Sequence, residues 1–450
     1  MSFKDRMIDS LGSFATKFNS FRYIMAIKAA FITLMPVIIV GAFSVLISNM
    51  VLDPVNGLAS FKFFAPLATL KPIMSSINYA TLNFLTIGAV FLIGIELGRL
   101  NGSRTLFPGL LAVICFIAVT PTTLQLMVGD QMMVVKDVLA RQFSDTKSLF
   151  LGMFMAILSV EVYSRLEKVD KFRIKMPDSV PPNVSASFTA LIPAIITVVL
   201  LATFGFVFQR VTGMYLYDAV YKVVQEPLES VVQSLPGILV LMFVAQLFWV
   251  IGIHGNQMIK PIREPLLLGA ITVNMTAFEQ GKDIPNIITM PFWDVYMSIG
   301  GSGLTIGLLM AVLFTSKRKE MKEIAKLSLG PSFFNINEPV IFGMPIMLNP
   351  ILAIPFIITP LVTGTIGYFA TSLGFAAKAV VMVPWTTPPL INAWLSTAGS
   401  MGAVVTQLCC IVVSFLIYLP FVQVASRRAD QAQIAAEMSE STRTETLKSS

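Results

Sequence analysis

The stretch AAFITLMPVIIVGAFSVLIS, residues 29–48, runs for 20 residues without a charged side chain. As a helix it would extend about 30 Å, the thickness of a bilayer's hydrocarbon core. Comparable runs follow near 82–98, 106–128, 148–164, 187–208, 237–256, 265–292, 298–315, 350–373 and 401–423. The run at 265–292 is the weakest, interrupted by Asn274, Glu279, Lys282 and Asp283. The pattern predicts an all-α polytopic membrane protein with about ten transmembrane helices. Composition agrees. Of 450 residues, 55% are hydrophobic and 13% charged, against roughly 25% charged in soluble domains, and the mean hydropathy is +0.77. This excludes a soluble enzyme, a secreted disulfide scaffold and a disordered hub. The runs are continuous rather than alternating, which excludes an outer-membrane barrel.

The excess of 32 Lys and Arg over 25 Asp and Glu gives a net charge of +7. Cytoplasmic loops explain it better than nucleic acid does. With the N-terminus inside and ten alternating spans, 23 of the 32 basic residues fall inside and nine outside. That bias sets both termini in the cytoplasm. Cys115, Cys409 and Cys410 all sit in apolar runs, so no disulfide framework and no metal-ligand spacing is expected. No cofactor motif and no cleavable signal is read either. The chain is expected to divide into an N-terminal five-helix half (1–210), an amphipathic linker (211–236), a C-terminal half (237–426) and a polar cytoplasmic tail (427–450).

Two further stretches are apolar but broken: LSLGPSFFNINEPVIFGMPIMLN at 327–349 and AAKAVVMVPWTTPPLINAWLSTAGS at 376–400. Proline removes a helical donor, and broken backbone at membrane depth survives only where protein or a watery cavity satisfies it. Both are expected to be re-entrant hairpins lining a site. The alternative is two kinked spans, making twelve crossings. Two amphipathic surface helices are also expected. Phe3, Met7, Leu11, Phe14, Phe18 and Phe21 share one helical face, and Tyr217, Val220, Val224, Leu228 and Val231 form a stripe.

Polar groups within apolar runs mark function by default. Glu96 and Glu161 lie a turn from basic span ends, where pairing explains them. Two segments resist so simple an account. WVIGIHGNQ, 249–257, holds the single histidine, His254, between Gly252 and Gly255, followed by Asn256. GPSFFNINEPVIFG, 330–343, holds a lone carboxylate, Glu338, beside Asn335, Asn337 and Pro339. A sugar would suit such a set: amides and carboxylates take hydroxyls while an aromatic face packs on the ring. Three of the four tryptophans, Trp249, Trp385 and Trp394, fall near these segments. Interfacial anchoring is the competing account of the tryptophans. The competing account of His254 and Glu338 is a purely structural histidine and a carboxylate that clamps backbone breaks.

With these motifs in view, the chain resembles the membrane-spanning IIC component of the bacterial phosphoenolpyruvate-dependent sugar phosphotransferase system (PTS), in its lactose, cellobiose and diacetylchitobiose group. The resemblance runs over residues 5–428 and is most specific at WVIGIHGNQ and GPSFFNINEPVIFGMPIMLNP. It implies ten spans, two re-entrant hairpins, a homodimer assembled through the first half, and a substrate site in the second. It implies that His254 and Glu338 bind the sugar near the hydroxyl to be phosphorylated, that Asn337 bonds a neighbouring hydroxyl, and that Trp249 and Trp385 flank the rings. Asn335 and Asn256 join them as expected substrate-binding residues. The phosphoryl donor would be a separate phosphorylated IIB protein, fed by IIA, because no soluble domain follows the last span. The expected cargo is a β-linked disaccharide such as cellobiose or diacetylchitobiose, carried across the bacterial cytoplasmic membrane. The rival reading is a proton-coupled sugar symporter with Glu338 as proton carrier.

Overall fold

The computed structural model describes residue 17 and residues 20–54, 57–103, 106–128, 131–174, 176–177, 180–316, 318–344, 346 and 349–448. The expected N-terminal surface helix lies almost wholly outside the described residues. Seven described helices are long and apolar enough to cross a membrane: Arg22–Met50, Ala65–Leu100, Thr146–Glu167, Val184–Thr212, Met290–Thr315, Ile351–Ser372 and Met401–Ser426. The pair Leu216–Val232 and Leu235–Val250, bent by 82°, makes an eighth if counted as one span. The architecture is the all-helical membrane type expected, with three departures. The run at 106–128 is helical only over Phe107–Ala118, too short to span. Pro121 cannot continue it, and the β-branched and long apolar residues beyond pair as an antiparallel hairpin, Thr123–Val128 with Gln131–Lys136. The helix Gly255–Glu279 replaces the expected 265–292 span and is not among the helices apolar enough to cross a membrane. It starts ten residues earlier and so takes in Lys260, Arg263 and Glu264. The expected 237–256 span is a helix only to Val250.

By contacts the chain forms two units. One comprises Ser13–Val232 and Lys260–Asp283; the other includes Gln233–Ile259 and Ile284–Ser450. In the first unit, helices approach through small residues, which lipid-embedded packing favours. A Cβ on Gly94 would stand 2.8 Å from the Cα of Gly109, so Leu85–Leu100 and Phe107–Ala118 touch backbone to backbone. Glu161, nearly buried, accepts from Arg22 Nη2 at 3.0 Å and Asn101 Nδ2 at 3.2 Å, with Arg165 at 3.6 Å. The paired role expected for Glu161 is what its surroundings supply. Glu96 likewise pairs with Arg99 at 3.2 Å.

In the second unit, Leu235–Val250, Thr305–Thr315, Lys319–Phe333, Pro350–Ser372 and Met401–Lys448 supply the long helices. Their shared core holds Leu308, Val312, Phe356, Tyr418 and Val422. Both broken stretches lie in this unit. The first is the end of Lys319–Phe333, a reversal through Phe334–Asn337, and the short helix Glu338–Gly343. Pro339 sits in that helix's first turn, where its missing N–H is harmless. The second runs without helix from Leu373 to Leu390 before Ile391–Ser396.

Candidate functional site

His254 stands in a four-residue break, Ile251–His254, between Leu235–Val250 and Gly255–Glu279. Two glycines make the break. Gly252 takes φ +90°, a region L side chains avoid. Gly255 lies so close to the preceding helix that an added Cβ would be 1.7 Å from the Ala245 carbonyl oxygen. The imidazole is thereby fixed at both flanks. Its Nδ1 accepts the Gln257 backbone N–H at 3.4 Å. That contact leaves Nε2 as the proton-bearing nitrogen of the neutral ring. The Trp249 ring backs it, with centroids 4.2 Å apart and planes tilted by 42°.

Nε2 of His254 lies 3.9 Å from Oε1 of Glu338. The two side chains are 41% and 48% exposed. This spacing is too long for a direct hydrogen bond. It suits a bridging hydroxyl: an oxygen about 2.8 Å from each would subtend roughly 90°. Two residues 84 positions apart in the chain thus meet with both side chains accessible.

The asparagines beside Glu338 face protein. Asn335 Oδ1 accepts the Gly300 N–H at 2.8 Å, and its Nδ2 donates to the carbonyls of Trp385 and Thr387 at 2.7 and 3.0 Å. Asn337 Nδ2 donates to the Ser302 carbonyl at 2.7 Å and to Thr305 Oγ1 at 3.1 Å. Asn256 Nδ2 donates to Ser302 Oγ at 2.8 Å. All three amides therefore engage one loop, Gly300–Thr305. Gly300, Gly301, Gly303 and Leu304 in it all have positive φ, and a Cβ on Gly301 would stand 2.4 Å from Asn337 Cγ. From the other side Tyr418 Oη donates to the Gly303 carbonyl at 2.7 Å and Ser414 Oγ to that of Leu304 at 3.0 Å.

The tryptophans divide. Trp249 is only 3% exposed and belongs to the core; its surface meets His254. Trp385 is 48% and Trp394 39% exposed. The structure thus brings together His254, Glu338 and Trp249, and ties the backbone of Trp385 to them through Asn335. Sequence reasoning passed over the GGSG loop and Gln407. Buried Gln407 accepts the Leu390 N–H and donates to the Val295 carbonyl at 2.8 Å and Asn392 Oδ1 at 2.9 Å. A glycine cluster inside an apolar run, and an amide in the middle of the apolar stretch 401–423, were the available signals. Among the described residues no cluster of three or more His, Cys, Asp or Glu could hold a metal ion. A separate cavity of about 420 Å³ in the first unit, lined by Arg141, Asp145, Lys147, Thr272 and Thr276, contains none of these residues.

A polytopic helical protein with a half-exposed acid and imidazole held by broken backbone fits the class of membrane transporters for polar solutes. Comparison with known proteins gives the kind. Residues 28–360 match the family described as phosphotransferase system, EIIC. The chain is 36% identical over 410 residues to the lichenan permease IIC component of Bacillus subtilis, covering 89% of this chain and 88% of that one. It is 30% identical over 423 residues to the cellobiose-specific EIIC component of Geobacillus stearothermophilus, covering 93% and 92%. The crystal structure of ChbC, the IIC component of an N,N′-diacetylchitobiose-specific phosphotransferase system, superposes with a TM-score of 0.87 at 33% identity, covering 95% of this chain and 98% of that one. The chain belongs to the EIIC family: it is a sugar permease IIC subunit of the phosphotransferase system. These similarities lend no support to a proton-coupled symporter.

Proposed function

We propose that this IIC subunit carries a β-linked disaccharide of the cellobiose or diacetylchitobiose type and presents one of its hydroxyls to phosphorylated IIB. The observation that carries the reading is the 3.9 Å approach of His254 Nε2 to Glu338 Oε1 with both side chains accessible. A hydroxyl placed between them donates to the carboxylate and accepts from the imidazole. In transfer, the sugar oxygen forms a bond to phosphorus as the bond from phosphorus to IIB breaks, and the hydroxyl proton passes to Glu338. His254 orients the attacking oxygen and offsets developing charge; such transfer depends mainly on positioning and electrostatics. Exposed Trp385 supplies an apolar face for a sugar ring. The relatives named for lichenan, cellobiose and diacetylchitobiose support a β-linked cargo.

In this reading both termini face the cytoplasm, where basic loops meet IIB, and two copies associate through the N-terminal half. Membrane vesicles loaded with IIA, IIB, the general phosphotransferase proteins and phosphoenolpyruvate provide the experiment. Labelled cellobiose or diacetylchitobiose should accumulate as its phosphate. Accumulation of unmodified sugar under a pH gradient alone would reject the reading.

A further inference from the structure

We propose that Asn335 is a positioning residue, not a sugar ligand, and that its one amide sets where Trp385 stands relative to Glu338. The inference rests on the reading of Glu338 and Trp385 as sugar contacts. A side-chain amide has two N–H donors and one carbonyl acceptor. In Asn335 both donors go to backbone carbonyls, of Trp385 and Thr387, and the acceptor takes the Gly300 N–H. No N–H is left for a hydroxyl. The residue is buried, so a sugar does not reach it without displacing these bonds.

Asn335, in the reversal before Glu338, thus joins two other segments: its partners lie in the Gly300–Thr305 loop and in the irregular stretch ending at Leu390. Each would otherwise hold unpaired backbone polar groups, which are expensive in an apolar setting. Asn335 itself takes φ +62°, a conformation asparagine tolerates better than most residues. It lies three residues before Glu338, and its Nδ2 grips the carbonyl of Trp385. The carboxylate and the indole, 47 positions apart in sequence, are therefore referenced to one side chain. Asn337 anchors the same loop independently through Ser302 and Thr305. Loop and reversal then stay joined when Asn335 is altered, while the link to Trp385 does not.

A double-mutant cycle on the purified full-length protein tests this, with cellobiose titrated calorimetrically. Asn335→Ala and Trp385→Ala are each expected to weaken binding about tenfold, and the double variant also about tenfold rather than about a hundredfold, because the indole no longer contributes once its anchor is gone. Losses that multiply would overturn the proposal, since they mark Asn335 as an independent ligand. Asn335→Gly, which keeps the backbone conformation, runs in parallel should the alanine variant not fold. A structure with bound cellobiose gives a check without substitution: Asn335 Nδ2 should still meet the Trp385 and Thr387 carbonyls, and a sugar oxygen in their place would overturn it. Glu338→Gln is the control. If that change leaves cellobiose affinity intact, the underlying site reading fails. If it weakens affinity while the cycle is multiplicative, only the role of Asn335 fails.

Discussion

Replacing Glu338 by glutamine keeps the side chain's size and its carbonyl oxygen but removes its charge and its capacity to take a proton. The carboxylate is 48% exposed and stands 3.9 Å from His254 Nε2, so its hydrogen bond to a sugar hydroxyl is partly screened. Hydrogen bonds to charged groups are worth about 1.5–3 kcal/mol, and the exposure places this one near the lower end. Sugar affinity should therefore fall about tenfold. Phosphorylation should fall further, because loss of a positioned proton acceptor slows transfer by about 10²–10⁴. Calorimetry with cellobiose reads the first quantity, and IIB-dependent formation of labelled cellobiose phosphate in vesicles reads the second. Affinity and rate both within about twofold of the unaltered protein would refute the reasoning. A fall in affinity with an unchanged transfer rate would keep Glu338 as a ligand and remove it as the proton acceptor.

Other predictions follow from the same geometry. Trp249→Phe retains an aromatic wall behind His254 and should keep cellobiose affinity within about threefold, whereas Trp249→Ala should lower the phosphorylation rate more than the affinity; steady-state kinetics separates the two. Gly301→Ala places a Cβ 2.4 Å from Asn337 Cγ at φ +98° and ψ −170°, a region essentially confined to glycine; the backbone strain alone is about 1–3 kcal/mol, so both melting temperature and sugar binding should drop. Glu161→Gln breaks the pairing with Arg22 and Arg165 and should lower the melting temperature while leaving cellobiose affinity unchanged by calorimetry. Asp145 has its carboxyl raised above the usual range by burial, against the opposing pull of Lys147 and Arg141. The folded state thus holds that proton more tightly than the unfolded chain. Its contribution to stability is complete below the ordinary carboxylate value and is lost as pH rises through the raised one. Asp145→Asn should therefore raise the melting temperature at neutral pH relative to the parent and flatten its pH dependence between those values.

What the sequence conveys here follows the range of the interactions. The membrane class is legible because span length and charge bias are local properties, and His254 and Glu338 stand out because charged groups are rare in their surroundings. The partners of Asn335 and Asn337 lie 32 to 52 residues away. No local pattern distinguishes an amide that clamps backbone from one that waits for a sugar. Trp249 poses a similar problem: its five-residue offset from His254 is unfavourable on a continuous helix, and the turn built by Gly252 and Gly255 removes that obstacle. The first strand, Thr123–Val128, was hidden because it continues the apolar run 106–128, and hydropathy does not separate an apolar strand from an apolar helix.

The central claim is that one sugar hydroxyl lies between Glu338 and His254. A structure of the full-length protein with bound cellobiose measures this directly. The account predicts a single hydroxyl oxygen within about 3 Å of both Glu338 Oε1 and His254 Nε2. Sugar held elsewhere, with these two side chains contacting only solvent or protein, would contradict it.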